Sequence, residues 1–317
     1  MQTHTLGNSQ LKISTLGLGS WAIGGDIGDW GWGTQSTRES VKVIHAALDQ
    51  GINWIDTAPA YGLGNAEKVI AKALHQTHYT PSIFTKCGFR WNDGESELQP
   101  CLTKQSILQE VEHSLRRLNI DCIDLYQIHT PNPSAQLEEA WQTLAELQQA
   151  GKVRHIGVSN FSQSQLQRIQ EIAPITSLQP PYSLLNRRIE QDVLPWCTDN
   201  NIGVIHHSAM SHGLLTGDWN IERLNKLDKR DWRHKSNQFQ QPEFNRIVEA
   251  VNKLKGLADS KQCQTAQLSL AWTLANQATT GTIIGARTEK QLNQLLPATE
   301  IGITHEEMTI IEQLFPH

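Results

Sequence analysis

Four residues of this chain carry side chains that move protons or polarise oxygen, and each follows a short apolar run. Asp56 and Tyr61 stand in WIDTAPAYG, Lys86 in FTKCG and His129 in YQIHTP. A phenol with an ordinary pKa of ~10 is a competent proton donor at neutral pH. A cation beside it strengthens the acid by stabilising the phenolate, and Lys86 can supply that cation. Asp56 can hold the ammonium in place and keep it charged. His129 can hydrogen-bond the oxygen that receives the proton. The set suits proton delivery to a carbonyl oxygen while another group attacks the carbon. It suits hydrolysis poorly, because the sequence has no nucleophile elbow and no HExxH or similar metal-ligand spacing. His206, His207 and His212 fall near the same site, but no metal is expected.

No side chain delivers hydride, so a cofactor must. GLGSWAIGG has glycines after a strand but lacks the G-x-G-x-x-G that opens a helix. Other residues can hold a dinucleotide across a barrel face. Ser159 and Asn160 in GVSNFS can bond a carboxamide, and Gln179 in SLQPPYS follows the next strand. Gly285, Ala286 and Arg287 precede a helix whose N-terminus attracts anions. The planar fork of Arg287 matches a ribose 2′-phosphate.

These residues can converge only if their strands are parallel and side by side, which alternating strands and helices provide. Residues 3–14 read as a hairpin around Gly7-Asn8. Strands are then expected at 14–20, 52–58, 82–88, 124–129, 152–159, 176–179, 203–208 and 280–286. Helices are expected at 36–50, 66–75, 104–118, 135–150, 163–172, 188–200, 243–257 and 266–275, with a last one starting at 289–296. In the first, Val41, Ile44, Ala47 and Leu48 share a face and Gly51 stops it. The helix at 188–200 would carry Pro195 near its end. Eight strands close a (β/α)8 TIM barrel of the α/β class. Loops 21–35 and 213–242 are long, and at the C-terminal face such loops cover or shape a site.

The 317 residues fit one such domain spanning 1–317, since a barrel of this kind takes ~250 residues plus insertions. The net charge of -5 is spread through the chain, and no basic face suggests nucleic acid. The N-terminus lacks a signal-peptide pattern, and no apolar stretch approaches the ~20 residues of a membrane span. A cytoplasmic protein without nucleic-acid or membrane partners is expected, with its oligomeric state open. Five cysteines without a CxxC pair read as reduced thiols. Cys87, next to Lys86, stands out as an oxidisable thiol near the site. Trp21, Trp30, Trp32 and Trp91 cluster in the first third, three of them among glycines, and read as walls of a substrate pocket.

Over nearly its whole length the chain resembles the aldo-keto reductase superfamily. The resemblance rests on GLGSWAIGG, INWIDTAPAYGLGNAEKVIAKAL, FTKCG, LYQIHTP, GKVRHIGVSNFS, GLLTG and IIGARTEKQL. LQPPYSLLNRRIEQDVLPWC and the GAR segment are most similar to the bacterial general-reductase branch, close in type to potassium-channel β-subunits. The resemblance implies a (β/α)8 barrel entered through an N-terminal hairpin, and an Asp56, Tyr61, Lys86, His129 tetrad with Tyr61 as general acid. It implies reduction of small aldehydes and ketones with NADPH, sometimes NADH. It also implies cofactor contacts at Gly19, Ser20, Trp21, Ser159, Asn160, Gln179, His207, Ser208, Gly213, Leu215, Gly285, Ala286, Arg287, Gln291 and Gln294. A second reading is a nicotinamide-binding regulatory or redox-sensing subunit with slow turnover. Three departures stand out. His207-Ser208-Ala209-Met210 replaces the family's frequent Tyr-Ser-Pro-Leu, whose ring stacks on nicotinamide. Gln294 and Leu295 replace an acidic residue and Asn, which weakens the expected adenine contacts. Loop 21–35, rich in Trp and Gly, matches no known substrate.

Overall fold

Alternation of apolar strands with amphipathic helices sets the architecture. A computed structural model of the chain describes residues 1–26, 31–92, 94, 97–229 and 231–316. It opens with β1 (Thr3–Thr5), β2 (Lys12–Ser14) and β3 (Leu16–Gly19), then α1 (Thr37–Asp49), β4 (Trp54–Asp56) and α2 (Asn65–Leu74). Next come β5 (Ser82–Cys87), the short β6 (Phe89–Arg90) and β7 (Gln99–Pro100), α3 (Lys104–Leu118), β8 (Ile123–Ile128) and α4 (Leu137–Gln149). The middle holds β9 (Val153–Ser159), α5 (Gln163–Gln170), β10 (Ser177–Gln179), α6 (Val193–Asp199) and β11 (Gly203–His206). The end holds α7 (Ile221–Asn225), α8 (Glu243–Ser260), α9 (Thr265–Leu274), β12 (Thr279–Gly285), α10 (Glu289–Leu295) and α11 (His305–Leu314).

Strands β3, β4, β5, β8, β9, β10, β11 and β12 form a closed barrel in that order, every pairing parallel. This is the expected (β/α)8 barrel. Its outer layer is helical; α1 buries a stripe that includes Val41, Ile44, Ala47 and Leu48, while α9 is buried nearly all round. The hairpin β1–β2 pairs antiparallel, with Thr3 opposite Ser14, and covers the N-terminal end of the barrel. There Leu6 and Ile13 pack with Trp54, Phe84, Leu125 and Ile205. Gly7 makes the hairpin possible: its φ is +50°, and a Cβ would lie 2.3 Å from the Thr176 carbonyl oxygen. Gly17 makes room for the Trp54 indole, which a Cβ would meet at 2.2 Å.

Three elements differ from expectation. The helix over 188–200 begins later, as a 3-10 turn at Arg188–Glu190 followed by α6. Pro195 therefore lies in the first turn, where its missing N–H costs nothing, and not near the end. The segment at 289–296 does not start the last helix: α10 stops at Leu295, a 3-10 turn carries Pro297, and α11 follows as a separate helix. Strands β6 and β7 form a small ribbon just past β5, with Phe89 opposite Pro100. The long segment 213–242 holds the end of a 3-10 turn at Ser211–Thr216, then α7 and two further 3-10 turns, Trp232–Lys235 and Asn237–Phe239.

Candidate active site

Asp56 ends β4, Lys86 lies one residue from the end of β5, and His129 directly follows β8. Tyr61 stands in the turn between β4 and α2, where the Tyr61 amide donates to the Ala58 carbonyl. Parallel pairing brings these ends to one face of the barrel. Lys86 Nζ lies 2.9 and 2.7 Å from the two Asp56 oxygens, 2.9 Å from the Thr57 carbonyl and 3.5 Å from the Tyr61 hydroxyl. The ammonium is thus aimed at a carboxylate, a carbonyl and a phenol at once. Lys86 is fully buried and Asp56 nearly so. Burying such a pair costs several kcal/mol per ion unless every donor finds an acceptor, which the Lys86 contacts supply. The Tyr61 and His129 rings meet edge-on with centroids 5.8 Å apart, and the His129 amide donates to the Cys87 carbonyl at 2.9 Å.

Electrostatics follow from burial and these partners. Burial raises the Tyr61 pKa, against the pull of the Lys86 ammonium, so the phenol keeps its proton. Burial alone would lower Lys86, but the Asp56 carboxylate and then Tyr61 outweigh it and hold the ammonium above its usual range. Burial, then Lys86 and His207, push His129 well below the usual imidazole range, so its ring is neutral. The site therefore presents a neutral acid, a fixed cation and a neutral imidazole.

The residues expected to hold a carboxamide lie beside the tetrad. Ser159 donates its hydroxyl to the Gln179 carbonyl at 2.8 Å. Asn160, left-handed at φ 65°, donates its side-chain amide to the His129 carbonyl at 3.0 Å and to Ser159 Oγ at 2.9 Å. Its Oδ1 lies 3.2 Å from His207 Nε2, and His207 Nδ1 lies 2.8 Å from Ser208 Oγ. Burial, with Lys86 next, lowers His207 to about 3, so this ring too is neutral. Gln179 donates to Asp56 Oδ1 at 2.7 Å.

A register row links the tetrad to the expected anion site: Gly285 pairs with Gly19, and Gly19 with Asp56. Ser20 donates its amide to the Asp56 carbonyl at 2.9 Å, while its buried hydroxyl finds no partner among the described residues. Gly285 is exposed, and nothing lies within 4 Å of where a Cβ on it would sit. Ala286 is buried. Arg287 lies just past β12, but its guanidinium is already engaged. It donates to the carbonyls of Trp32 and of Thr34, the latter at 2.5 Å, and to Gln35 Oε1 at 3.0 Å. Gln291 Oε1 accepts from the Arg287 amide at 2.9 Å, and the Gln294 carbonyl accepts from Gln267. Gln294 also lines an open cavity of about 530 Å³ with Glu289, Lys290 and Asn293. Past β11, Ser208, Ser211 and His212 are all left-handed, at φ 60°, 42° and 57°, and lead into Gly213 and the buried Leu215. Such a run of strained backbone is characteristic of ligand-holding turns.

Of the four tryptophans expected to wall a pocket, the structure brings Trp21 and Trp32 together. The two rings meet edge-on with centroids 5.4 Å apart, and Trp232 lies 5.7 and 5.8 Å from them. Among the described residues, the His212 ring, 4.7 Å from Trp232, is the fourth ring of this cluster, which is built from three loops. Trp91 follows the β6 strand, half-buried, outside this cluster. Trp30 lies outside the described residues. Sequence reasoning did not assign Trp232 or Phe89; the latter's ring meets His129 at 5.2 Å. The two tryptophans in the 213–242 segment were the available signal for Trp232. The expectation for Cys87 is corrected. Its thiol is buried, and burial with Glu110 beside it raises its pKa well above the usual range, which removes the thiolate that oxidation requires.

Comparison with known proteins agrees with this fold. Residues 15–315 match the family model of the Aldo/keto reductase family. The chain is 37% identical to the aldo-keto reductase YhdN of Bacillus subtilis (strain 168), covering 99% of this chain and 93% of that one. It is 31% identical to the NADH-specific methylglyoxal reductase of Escherichia coli (strain K12), covering 99% and 98%. Among solved structures, the glycerol dehydrogenase AKR11B4 from Gluconobacter oxydans superposes with a TM-score of 0.91 at 34% identity, covering 98% of this chain and 94% of that one.

Proposed function

The chain belongs to the aldo/keto reductase family, and from that premise we propose that it reduces small aldehydes or ketones to alcohols with NADPH as its preferred cofactor. The observation that carries the reading is the position of Lys86 Nζ, between both Asp56 oxygens and the Tyr61 hydroxyl. The reduced nicotinamide, when bound, supplies hydride to the carbonyl carbon. Tyr61 hands its proton to the carbonyl oxygen as charge develops there. Lys86 stabilises the phenolate left behind, and Asp56 keeps Lys86 in place and charged. His129, neutral, donates a ring N–H that orients the carbonyl oxygen.

Ser159, Asn160 and Gln179 offer donors and acceptors for a carboxamide, and His207 offers a flat neutral ring at the position for stacking. Gly19, Ser20, Ser208, Gly213, Leu215, Gly285, Ala286, Gln291 and Gln294 line the path of the remaining cofactor. Arg287 and the neighbouring Lys290 favour a 2′-phosphate, which supports NADPH over NADH. For Arg287 to take a phosphate, the carbonyls of loop 32–35 must give up the guanidinium. The Trp21, Trp32, Trp232 and His212 rings form an apolar wall for the substrate, with Trp91 farther out.

The test is Tyr61→Phe. Carbonyl reduction should fall by about 100-fold or more, the usual scale for removing a general acid, while NADPH still quenches protein fluorescence. Survival of aldehyde turnover in that variant would overturn the assignment.

A further inference from the structure

Glu110 is a buried carboxyl to which the proposed reaction gives no role. It projects from α3 and is 8% exposed. Its Oε2 accepts from the Gly88 amide at 2.9 Å and the Phe89 amide at 3.3 Å, and its Oε1 from the Ser106 hydroxyl at 2.9 Å. Gly88 is left-handed, at φ +110°, and stands two residues past Lys86. From the other side, the Cys101 amide donates to the Gly88 carbonyl at 3.0 Å, and the β6–β7 ribbon follows. The turn that ends the lysine strand is therefore fastened from below by one side chain. That turn carries Phe89, whose ring meets the His129 imidazole edge-on at 5.2 Å and an interplanar angle of 84°. The Tyr61 ring meets the same imidazole at 5.8 Å and 85°.

We propose that Glu110 is a positioning residue for His129: by holding the Gly88–Phe89 turn it sets the Phe89 ring against the imidazole, and so aims the imidazole N–H at the substrate oxygen. The proposal rests on the reading of His129 as the orienting group. It has a consequence for pH. Burial raises the Glu110 carboxyl to about 7, against the lowering pull of the Gly88, Ser106 and Phe89 bonds. The titratable groups facing it are Cys87 from β5, Tyr126 from β8 and Cys101 from the segment before α3. Burial keeps Cys87 and Tyr126 protonated far above neutrality, and Cys101, though burial raises it, is lowered overall by hydrogen bonds led by Thr103; Glu110 is the carboxyl here that changes charge near pH 7. Ionised, it accepts all three hydrogen bonds with a charged group, and such bonds are roughly twice as strong as neutral ones. Protonated, it gives its proton to Ser106 and holds the two amides with a neutral oxygen. The turn is tighter above that midpoint.

The experiment uses the full chain, wild type and three variants: Glu110→Gln, Glu110→Ala and Phe89→Leu. One readout is the set of His129 ring resonances by NMR; the other is kcat/KM for 4-nitrobenzaldehyde with NADPH, each from about pH 5.5 to 9. In the wild type both should change with a midpoint near that of Glu110, kcat/KM falling toward acid. Glu110→Gln copies the protonated form: it should fold, lose the pH response of His129 and sit within about threefold of the wild-type acid limb. Phe89→Leu should also uncouple His129 from pH, because the connecting ring is gone. Glu110→Ala should lower kcat/KM by about tenfold with the NADPH dissociation constant unchanged, as expected when a reacting group is displaced but binding is not. The proposal is overturned if the His129 midpoint persists in Glu110→Gln or Phe89→Leu, or if Glu110→Ala matches the wild type in kcat/KM. Should the wild type turn over no carbonyl while His129 still follows Glu110, the proposed reaction falls and the positional coupling stands.

Discussion

Gln179 donates its side-chain amide to Asp56 Oδ1 at 2.7 Å, the same oxygen that accepts from Lys86 Nζ at 2.9 Å. The carboxylate is thus held from β10 and β5, two strands that are not neighbours in the barrel. Asp56→Asn would leave the buried Lys86 ammonium facing an amide. An uncompensated buried charge costs about 3–5 kcal/mol, so the urea midpoint should drop and Lys86 should lose its fixed position. Gln179→Met keeps the ion pair and removes two hydrogen bonds, to Asp56 and to Gln127 at 3.3 Å, a change of about 1–3 kcal/mol. Equal destabilisation by both variants would show that the ion pair is not what holds this site together.

Arg287 makes a prediction about cofactor choice. Arg287→Ala should weaken NADPH by about 10–100-fold and NADH by less than about threefold, because a guanidinium–phosphate pair is lost only with the former. Fluorescence titration with each dinucleotide measures this. A similar loss for both would mean that Arg287 acts through its grip on the Trp32 and Thr34 carbonyls.

The ring cluster bears on substrate choice. Trp232 is nearly buried and lies within 6 Å, centroid to centroid, of Trp21, Trp32 and His212. Trp232→Ala removes one wall of the pocket, and aromatic contacts of this kind are worth about 0.5–1.5 kcal/mol. KM for 4-nitrobenzaldehyde should rise by about 3–10-fold, and KM for a small aliphatic aldehyde should stay put. A uniform change in both would place the cluster away from the substrate.

His206 sets an acid limit on stability. It is fully buried, its ring nitrogens 2.9 and 3.2 Å from the Thr279 and Thr282 hydroxyls, and burial, then His207, lowers it to about 3. The unfolded chain binds this proton near pH ~6.5 and the folded chain does not. Its contribution is therefore present above that value and is lost as pH falls toward 3, by about 3 kcal/mol at pH ~4.5. Urea unfolding of wild type and His206→Gln from pH 7.5 downward should show the wild type losing its margin over the variant. A constant margin would mean that His206 takes up a proton without disturbing the fold.

Much of this was legible in the sequence because the strands that carry the tetrad are apolar runs with a distinctive polar residue at or just past the end. Asp56, Lys86 and His129 announce themselves by type and by place, and the parallel barrel follows from the alternation. Other features have no local signature. Glu110 reads as one more acidic residue on a helix, since its partners are backbone amides of a turn that only the fold brings near. Arg287 reads as a free cation, and its acceptors lie about 250 residues away in the chain. Two-residue strands such as β6 and β7 carry no alternation to detect. Pro195 reads as a late helix residue because the helix starts at Val193, capped by the Asp192 carboxylate, after the separate 3-10 turn at Arg188–Glu190.

The N-terminal hairpin has a last consequence. Leu6, Ile13, Trp54 and Phe84 are fully buried and pack together at the hairpin end of the barrel, an apolar plug between that end and the tetrad. Under the proposed reaction, Tyr61 gives up its proton once per cycle, and the replacement has to enter by the opening through which the alcohol leaves. Reprotonation then waits on product departure, and the acid is recharged only when the site is next open to solvent.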